Sequence, residues 1–415
     1  MDAREKVTPR TYLFALTDGG GTVPPELGIA RRLVDRGHRV TVLADPTMEQ
    51  QVRSTGAVYR AWSPRVPDEF RDWELKNPLQ MARATTEHMM TAPAPSQAAD
   101  TIAAIDELKP DRVVTSSLGL GAMVGAEARG LEFDALVPNV YPLPAPGLPP
   151  FGAGLEPGRG PLGRLRDRLG AFATTRLING YALGAVNDLR REYGLEAVTS
   201  IWAQVLRARR ILVLTSSAFD FPAELPSSVH YVGPVLDDPS WATEQHWTPP
   251  AGDDPLVLVA LSSTFQNQAE CIQRIADALG SLPVRGLVTT GPFIDPAEIT
   301  APANVTVVAS APHSAAMREA AVVVTHWGHG TVVKALAAGV PLVVVPHGRD
   351  QGDNAARVTS RAAGVSVPRT APPSRFAAAI SDVLEHPSYT HAAQELGAQI
   401  AHDAETSPVV DLLER

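Results

Sequence analysis

The sequence predicts an α/β protein of two doubly wound, Rossmann-like domains that face each other across a cleft. Three observations support this fold class. Short apolar runs alternate with amphipathic helical patterns in the first half, the alternation stops in a stretch rich in Pro and Asp, and it then begins again. The length of 415 residues exceeds one ordinary domain. It fits two domains of roughly 150–200 residues each.

The first half opens with a βαβ unit. An apolar run at Thr11–Leu16 predicts the first strand, and the glycine-rich turn of residues 18–22 follows it. The pattern over Pro25–Arg36 places apolar residues at three- and four-residue spacing, Gly37 ends it, and Val40–Leu43 predicts the second strand. A βαβ opening predicts a parallel sheet. Four later strands are predicted at Val58–Trp62, Arg112–Thr115, Ala135–Pro138 and Ile211–Leu214.

Two stretches interrupt this alternation. Tyr141–Pro161 is dense in Pro and Gly and predicts a long loop, which in a compact domain usually covers a site or is mobile. Phe219–Asp254 is irregular and is interpreted as the interdomain linker. The predicted division is therefore an N-terminal domain (1–218), a linker (219–254), a C-terminal domain (255–387) and a helical segment (388–415).

The second half repeats the α/β pattern. Parallel sheets of this kind bind ligands at the carboxyl ends of their strands, so facing halves would place the site in the cleft. Strands are predicted at Leu256–Leu261, Val284–Thr289, Val305–Val308, Val322–Thr325 and Leu342–Val345, and helices at Ala269–Leu279, Ala315–Ala320, Thr331–Ala338 and near 354–363.

Composition excludes several function classes. The formal charge is −9 and no dense basic stretch predicts a nucleic-acid footprint. The single cysteine, Cys271, cannot form an internal disulfide, which suits a reducing compartment. The sequence has no uninterrupted apolar run of ~18 residues and no apolar signal core at its N-terminus, so we expect a cytoplasmic protein without stable membrane insertion.

The densest chemical signal is the run THWGHGT at residues 325–331, between an apolar strand and a helix. A diphosphate is bound by backbone N–H groups and a hydroxyl at a helix N-terminus, where glycines allow close approach. Gly328, Gly330 and Thr331 offer such donors, and His326 or His329 can add a hydrogen bond. The alternative is a plain turn that needs glycine, with Thr331 as the N-cap.

A second polar cluster follows the next predicted strand. Gly339 and Pro341 precede that strand, and Asp350, Gln351 and Asn354 come after it. Carboxylate and amide groups in such a loop suit recognition of sugar hydroxyls. Asp350 could equally be only the N-cap of the next helix.

Together these two signals resemble a known family. The stretch THWGHGTVVKALAAGVPLVVVPHGRDQGDNAARV is similar to the C-terminal signature of family 1 glycosyltransferases of the GT-B fold, above all actinobacterial enzymes that modify natural products. Weaker likenesses cover most of the chain: ELGIARRLVDRGHRVTVL (26–43), YVGPV (231–235), LVLVALSSTFQNQ (256–268) and the loop LPAPGLPPFGAG (143–154).

The resemblance implies a donor site for a nucleotide sugar. It implies that His326 contacts one phosphate, that the residues from Gly328 through His329 and Gly330 to Thr331 hold the other, and that Asp350 and Gln351 bind the transferred sugar. It also brings Ser263 and Thr264 near the diphosphate. His313 would reach the nucleobase, or it is a surface histidine.

The family's usual catalytic pair is missing. Thr22 occupies the position of the catalytic His, and residues 115–117 (Thr-Ser-Ser) replace the aspartate that orients it in plant members. A threonine hydroxyl is not a general base near neutral pH. Asp18, at the head of the glycine turn, is the preferred base, with an Asx-turn role as its alternative. Glu87 or His88 is a weaker choice, and a reaction without a protein base is a further one.

Lys334 is the third departure. It stands where many members carry a Glu that binds the ribose, and an ammonium group cannot accept hydrogen bonds from two hydroxyls. This favours a deoxyribose nucleotide, and so a dTDP-sugar over a UDP-sugar.

We expect inverting transfer of a sugar to a small apolar natural-product acceptor, without cofactor or metal, by a monomer or homodimer. Met81–Met90, with Met81 and His88, and the loop with Phe151 are predicted to line the acceptor pocket. Two alternatives remain open at this stage. One is a nucleotide-sugar epimerase or hydrolase that needs no acceptor, and the other is a silent partner protein that activates a second transferase.

Overall fold

The structure, a computed structural model, describes residues 8–64, 75, 77–238, 247–261, 267–347 and 351–415. Within them the chain forms two parallel sheets, as the sequence predicts. The first sheet has the order β3-β2-β1-β4-β5-β6-β7 and every pairing in it is parallel. Its strands are β1 (Thr11–Ala15), β2 (Arg39–Ala44), β3 (Val58–Ala61), β4 (Arg112–Ser116), β5 (Phe133–Val137), β6 (Arg210–Val213) and β7 (Val229–Tyr231).

Helices of very different length surround the first sheet. They are α1 (Val23–Asp35), α2 (Glu49–Ser54), α3 (Pro78–Thr86), α4 (Ala94–Leu108), α5 (Leu120–Ala128), α6 (Gly160–Glu192) and α7 (Ile201–Val205), with a π-helical turn at Glu87–Thr91 after α3 and a 3₁₀ turn at Pro46–Met48. The 33-residue α6 begins where the Pro-rich loop ends. The glycine and proline content that predicted this loop therefore does interrupt regular structure before Gly160.

The second sheet has the order β10-β9-β8-β11-β12-β13, again parallel throughout. Its strands are β8 (Leu256–Ala260), β9 (Arg285–Thr289), β10 (Val305–Val308), β11 (Ala320–Thr325), β12 (Leu342–Val344) and β13 (Gly364–Ser366). The helices that follow are α8 (Ala269–Gly280), α9 (His313–Glu319), α10 (His329–Ala337), α11 (Gln351–Ser360), α12 (Pro373–Glu385), α13 (Pro387–Glu405) and α14 (Val409–Glu414), with a 3₁₀ turn at Pro296–Glu298.

Each sheet has a buried core on both faces, because alternate residues of a strand point to opposite sides. In β1, Leu13 belongs to one apolar cluster, while Tyr12 and Phe14 belong to the cluster on the other face. In β8, Leu258 and Val259 divide in the same way. Burial on both faces explains why these strands appear in the sequence as continuous apolar runs.

Several assignments differ from the sequence prediction. The predicted linker contains β7, whose Val229 pairs with Ile211 of the first sheet. Strand β13 was not predicted, and both missed strands have only three residues, which is too short for a periodic signal. Helix α10 begins at His329 with Gly328 as its N-cap, so Thr331 is the third helical residue rather than the cap.

The C-terminal helices contact both domains. Helix α13 packs on α10, whereas α14 lies against α1 of the first domain. The Tyr12 hydroxyl donates to the carbonyl oxygen of Leu413, and Arg36 pairs with Asp411 and Glu414. The last residues of the chain thus return to the first sheet.

Helices long and apolar enough to cross a membrane do not occur within the part of the chain that the structure describes.

Candidate active site

The turn between β11 and α10 carries the main candidate site. Strand β11 is buried up to Thr325, and α10 starts four residues later. The first N–H groups of a helix have no partner inside the helix and carry its partial positive charge. Gly328, Gly330 and Thr331 are all partly exposed at this helix start. The backbone N–H of Thr331 already donates to the carbonyl oxygen of Gly328 over 3.1 Å, so the N–H groups before it and the Thr331 hydroxyl are the donors suited to an anion. That they bind a diphosphate stays a prediction.

His326 lies directly over Gly328. A Cβ atom added to Gly328 would stand 2.9 Å from Nε2 of His326 and 3.0 Å from its Cε1, closer than side chains tolerate. His326 is 9% exposed, so its ring is held against the helix start rather than projecting into solvent. A side chain at position 328 would therefore require the imidazole of His326 to move.

Trp327 has a backbone conformation that is rare for its type. Its φ is +83°, and its side chain is fully buried. Left-handed φ values in bulky residues are strained and persist only where the surroundings hold them. Asn354 of α11 contributes to this restraint, because its Nδ2 donates to the carbonyl oxygen of Trp327 over 3.1 Å. The strained turn sets the direction of the backbone entering α10.

The side chain of His329 has a different role from the one predicted. Its Nε2 lies 2.8 Å from the Thr215 hydroxyl, and its ring packs edge-on against Phe219 at 5.9 Å. Burial lowers the pKa of His329 to about 4, so the ring is neutral. The ring packs at the domain interface because the helix begins at position 329 and turns that side chain inward, which leaves its backbone N–H as the group available to a phosphate.

The start of α11 forms the second part of the donor side. Gln351 is 3% exposed, and its Oε1 accepts a hydrogen bond of 2.6 Å from the backbone N–H of His347. The amide of Gln351 therefore fixes the chain on either side of the loop between β12 and α11. Asp350, Ser263 and Thr264, which the resemblance assigns to the donor site, lie outside the described residues.

Lys334 is committed to an ion pair. Its Nζ lies 2.8 Å from Oδ1 of Asp238 and donates to the Asp237 carbonyl at the same distance. The other oxygen of Asp238 accepts from the backbone N–H of Ser314, next to His313. His313 is half-buried rather than fully exposed, and desolvation together with the Lys334 charge lowers its pKa to about 4. This corner of the C-terminal domain thus holds a neutral histidine beside the ion pair of Lys334 and Asp238.

On the acceptor side, Asp18 organises the glycine turn after β1. Its Oδ1 accepts from the backbone N–H of Gly20 (2.9 Å) and its Oδ2 from the Thr47 hydroxyl (2.6 Å). The Asx-turn role named as the alternative is thus present, and the carboxylate remains partly exposed. Thr22 is the N-cap of α1, and its Oγ1 would be only 2.7 Å from a Cβ added to Gly19.

Glu26 is a functional candidate that the sequence analysis missed. It lies in the first turn of α1 and is fully buried, and neither of its carboxyl oxygens has a hydrogen bond of normal geometry in the described structure. Burial raises the pKa of Glu26 well above its usual value, Asp18 adds to the effect, and the Ser116 side chain partly offsets it. The sequence does contain an indication that Glu26 is buried. In a helical projection of α1, Glu26 lies on the apolar face with Ala30 and Leu33.

The remaining candidate bases lie elsewhere. Glu87 accepts a 2.8 Å hydrogen bond from Arg83 on the surface of α3 and the π-helical turn. His88 and Met81 lie on the same partly exposed segment, which packs on α6. Met89 of this segment approaches the glycine turn, since its Cε would lie 3.6 Å from a Cβ on Gly19.

An apolar pocket lies beneath the Pro-rich loop. The loop contributes Tyr141, Leu143, Leu148 and Phe151, α6 and α7 contribute Ile178 and Trp202, and α11 contributes Asp353 and Arg357. Phe151 therefore lines a pocket, and its role in binding the acceptor stays a prediction. The segment Met81–Met90 does not line this one, contrary to the expectation that both segments share a pocket, because it packs on the other elements of the first domain.

Among the described residues, no group of three or more His, Cys, Asp or Glu side chains is arranged to hold a metal ion.

Comparison with known proteins identifies relatives for both halves. Residues 288–415 match the sequence model of the erythromycin biosynthesis protein CIII-like family, C-terminal domain. The chain is 27% identical to 4'-demethylrebeccamycin synthase of Lentzea aerocolonigenes, covering 97% of this chain and 98% of that protein. It is 28% identical to the oleandomycin glycosyltransferase of Streptomyces antibioticus, covering 99% of this chain and 91% of the relative.

Solved structures show the same architecture. The structure of the glycotransferase of kitacinnamycin superposes with a TM-score of 0.77 at 23% identity, covering 98% of each chain. A spinosyn rhamnosyltransferase complexed with thymidine diphosphate gives a TM-score of 0.71 at 17% identity, covering 97% of this chain and 100% of that one. The predicted two-domain fold and the predicted resemblance to natural-product glycosyltransferases are confirmed.

Proposed function

We propose that this chain, a GT-B glycosyltransferase of natural-product biosynthesis, moves a sugar from a dTDP-linked donor to a hydroxyl of a small apolar acceptor, with inversion at the anomeric carbon. The enzyme class follows from its relatives. The donor nucleotide, the stereochemistry and the acceptor class are our inference from the site.

The observation that carries the proposal is the helix start beneath His326. Its backbone N–H groups and the adjoining imidazole can hydrogen-bond a diphosphate whose negative charge grows as the sugar leaves. His326 fits closely over Gly328, and the backbone of Trp327 is restrained. These contacts keep the hydrogen-bonding groups in place before the nucleotide sugar binds. Because these groups can offset the leaving charge, the proposed chemistry does not need a metal ion, and activity should persist in excess chelator.

The ribose side supports dTDP. Lys334 replaces the carboxylate that the resemblance places there, and its ammonium is already bound to Asp238. A deoxyribose has one hydroxyl fewer than a ribose. Loss of the carboxylate therefore removes fewer hydrogen bonds from bound dTDP than from bound UDP. The spinosyn rhamnosyltransferase, which shares the fold, was solved with thymidine diphosphate.

The acceptor side suits an apolar molecule. The pocket beneath the Pro-rich loop is lined mainly by aliphatic and aromatic groups, including Leu143, Phe151, Ile178 and Trp202. Pockets of this kind bind through buried apolar area and use few polar groups to orient the ligand. We infer that the loop and α6 contribute to recognition of the acceptor.

The proposed reaction is a single displacement. The acceptor oxygen attacks the anomeric carbon from the side opposite the diphosphate, a C–O bond forms as the bond to the diphosphate breaks, and the configuration inverts. The proton of the acceptor hydroxyl passes to the carboxylate of Asp18, which faces the turn after β1 and remains partly exposed. A positioned carboxylate that takes this proton typically contributes about 10²–10⁴-fold to the rate.

Nucleotide binding tests the donor site directly. Calorimetry with dTDP and UDP should show tighter binding of dTDP to the wild type and at least a roughly tenfold loss in His326→Ala, as expected for a hydrogen bond to a charged group. His391→Ala, a change of the same type at an exposed position of α13, is the matched control. Preference for UDP would overturn the donor assignment while keeping the enzyme class.

Turnover separates the alternative functions. The protein is incubated with each of several dTDP-sugars, with and without a panel of apolar hydroxylated acceptors. The products are followed by mass spectrometry. Glycosides that form only with acceptor support the proposal. Free sugar released equally without acceptor would indicate a hydrolase or epimerase, and the absence of nucleotide binding would indicate a silent partner protein.

A further inference from the structure

Helix α11 holds the tip of the Pro-rich loop. The backbone N–H of Gly152 donates to Oδ2 of Asp353 over 2.5 Å, and that of Gly154 donates to Oδ1 over 2.9 Å. Both carboxylate oxygens of one residue are thus engaged with the loop, about 200 residues away in sequence. Asp353 is 2% exposed, so these charge-assisted hydrogen bonds are largely screened from water.

Backbone packing reinforces this contact. Gly154, at φ +63°, lies so close to Gly352 that a Cβ on either residue would be 3.1–3.3 Å from the other's backbone. Gly152 also has a left-handed φ of +83°. A side chain at position 154 would therefore meet both conformational strain and the backbone of α11.

The same helix also holds the base of the loop. Arg357 donates from Nε and Nη2 to Oδ1 of Asp220, at 2.9 and 2.7 Å. The other oxygen of Asp220 accepts from the backbone N–H of Tyr141, where the loop begins. Arg357 also donates to the carbonyl oxygen of Asp353, so the residues that hold the two ends of the loop are bonded to each other.

Helix α11 also contacts the donor side, because Asn354 holds the Trp327 carbonyl in the turn before α10. Adjacent residues of one helix therefore contact two sites: Asp353 binds the acceptor loop, and Asn354 binds the donor turn. The pocket beneath the loop is bounded by Asp353 and Arg357, which makes α11 part of its wall.

We propose that Asp353 is a positioning residue that couples the acceptor loop to the donor site, so that a nucleoside diphosphate bound at residues 326–331 stabilises the closed loop over the apolar pocket. This inference rests on the donor site assigned above. The coupling acts through α11. The donor turn contacts this helix through Asn354, and the acceptor loop contacts it through Asp353, so a shift of the helix at one site changes the contacts at the other. By thermodynamic reciprocity, an acceptor that favours the closed loop also raises the affinity for the nucleotide.

Hydrogen–deuterium exchange with dTDP as the probe tests this coupling without a known acceptor. In the wild type, dTDP should slow exchange of peptides covering residues 326–338 and also of those covering residues 147–156, the latter by about tenfold, or ~1.4 kcal/mol. In Asp353→Asn the loop should exchange faster and respond to dTDP by less than about twofold, while residues 326–338 remain protected.

Gly154→Ala breaks the same contact without changing Asp353 and should give the same result. Gly130→Ala is its matched control, because Gly130 has nearly the same φ (+66°) but no atom within 4 Å of the added Cβ. Asp188→Asn, in an exposed pair with Arg191, is the control for the carboxylate change. Thermal unfolding of each variant verifies that it is folded.

The outcomes are distinct. If dTDP protects residues 326–338 of the wild type but leaves the loop unchanged, the coupling is absent. If the loop of both variants still responds to dTDP as in the wild type, Asp353 has only a structural role and the inference is wrong. If dTDP fails to protect residues 326–338 of the wild type, the donor-site assignment itself is wrong.

Discussion

The side-chain amide of Asn354 donates to the backbone carbonyl of Trp327, 3.1 Å away and 27 residues earlier in the sequence, and so connects the first turn of α11 with the turn before α10. Trp327 has a left-handed backbone, which a buried tryptophan does not adopt without support. The bond therefore contributes to the geometry of the turn that leads into α10. Asn354 therefore stabilises the donor turn, whereas sugar binding is predicted for the neighbouring residues Asp350 and Gln351.

This relationship predicts the effect of Asn354→Ala. Loss of the amide should destabilise the protein by about 1–3 kcal/mol, because a buried carbonyl is left without this donor. It should also weaken dTDP binding, because the turn at Trp327 can relax. Calorimetry and urea unfolding measure the two effects.

Asn304→Ala is the matched control for this prediction. The Nδ2 of Asn304 donates to the carbonyl oxygens of Leu279, Leu282 and Val284 in the same domain. Its removal should lower stability and leave dTDP affinity unchanged. Equal losses of affinity in both variants would show that the effect is general destabilisation rather than a property of the Trp327 turn.

The two glycines of the donor turn should behave differently when changed to alanine. Gly328→Ala places a Cβ 2.9 Å from His326, so the imidazole must move and dTDP binding should fall by at least about tenfold, or ~1.4 kcal/mol. Gly330→Ala meets no atom within 4 Å. Because alanine is the better helix former, this second variant should gain up to about 1 kcal/mol of stability.

Binding of dTDP to Gly330→Ala then tests the role assigned to residue 330. A phosphate held against the backbone at this position would be hindered by the new methyl group, so affinity should fall although stability rises. Unchanged affinity would remove Gly330 from the donor site and leave the assignment of Gly328 intact.

The folding pattern was largely predictable, whereas several features of the site were not. Apolar runs and helical periodicity located most strands and helices, since both are local properties of the sequence. The contact between Gly152 and Asp353 joins residues about 200 positions apart and leaves no local signal. The left-handed backbone of Trp327 is also unpredictable, because its residue type gives no indication of it.

Buried Glu26 predicts an unusual dependence of stability on pH. Its pKa in the folded protein is raised well above the value of 4.5, chiefly by burial. The unfolded chain therefore releases the proton first as the pH rises, and the folded state loses stability from about pH 4.5 upward through the raised folded pKa. Glu26→Gln removes the titration. It should therefore exceed the wild type in stability at pH 8, with the difference shrinking towards pH 5.

Urea unfolding at pH 5, 6.5 and 8 measures this difference. Glu156→Gln, at an exposed glutamate of the Pro-rich loop, is the control and should follow the wild type at each pH. A constant difference between Glu26→Gln and the wild type would mean that Glu26 does not titrate in this range. A pH–rate profile of Glu26→Gln shows whether the buried carboxyl also changes the pH dependence of catalysis by the proposed base, Asp18.

The buried pair of Asp220 and Arg357 should be strongly coupled. The two side chains are 1% and 3% exposed, and Asp220 also accepts from the hydroxyl of Tyr231 and the backbone N–H of Tyr141. Desolvation, followed by the charge of Asp220, raises the pKa of Tyr231, so its hydroxyl remains a donor to the carboxylate. Removing either charge leaves the other buried without its counter-ion, which typically costs about 3–5 kcal/mol.

A double-mutant cycle with Asp220→Ala and Arg357→Ala measures this coupling by urea unfolding. The double variant should be less destabilised than the sum of the single variants, with an interaction energy above about 1 kcal/mol. The exposed pair of Asp188 and Arg191, whose side chains are 72% and 75% exposed, is the control and should give less than about 0.5 kcal/mol. Additive losses at Asp220 and Arg357 would mean that water reaches the pair. In that case α11 would be joined to the base of the acceptor loop less tightly than the buried geometry indicates.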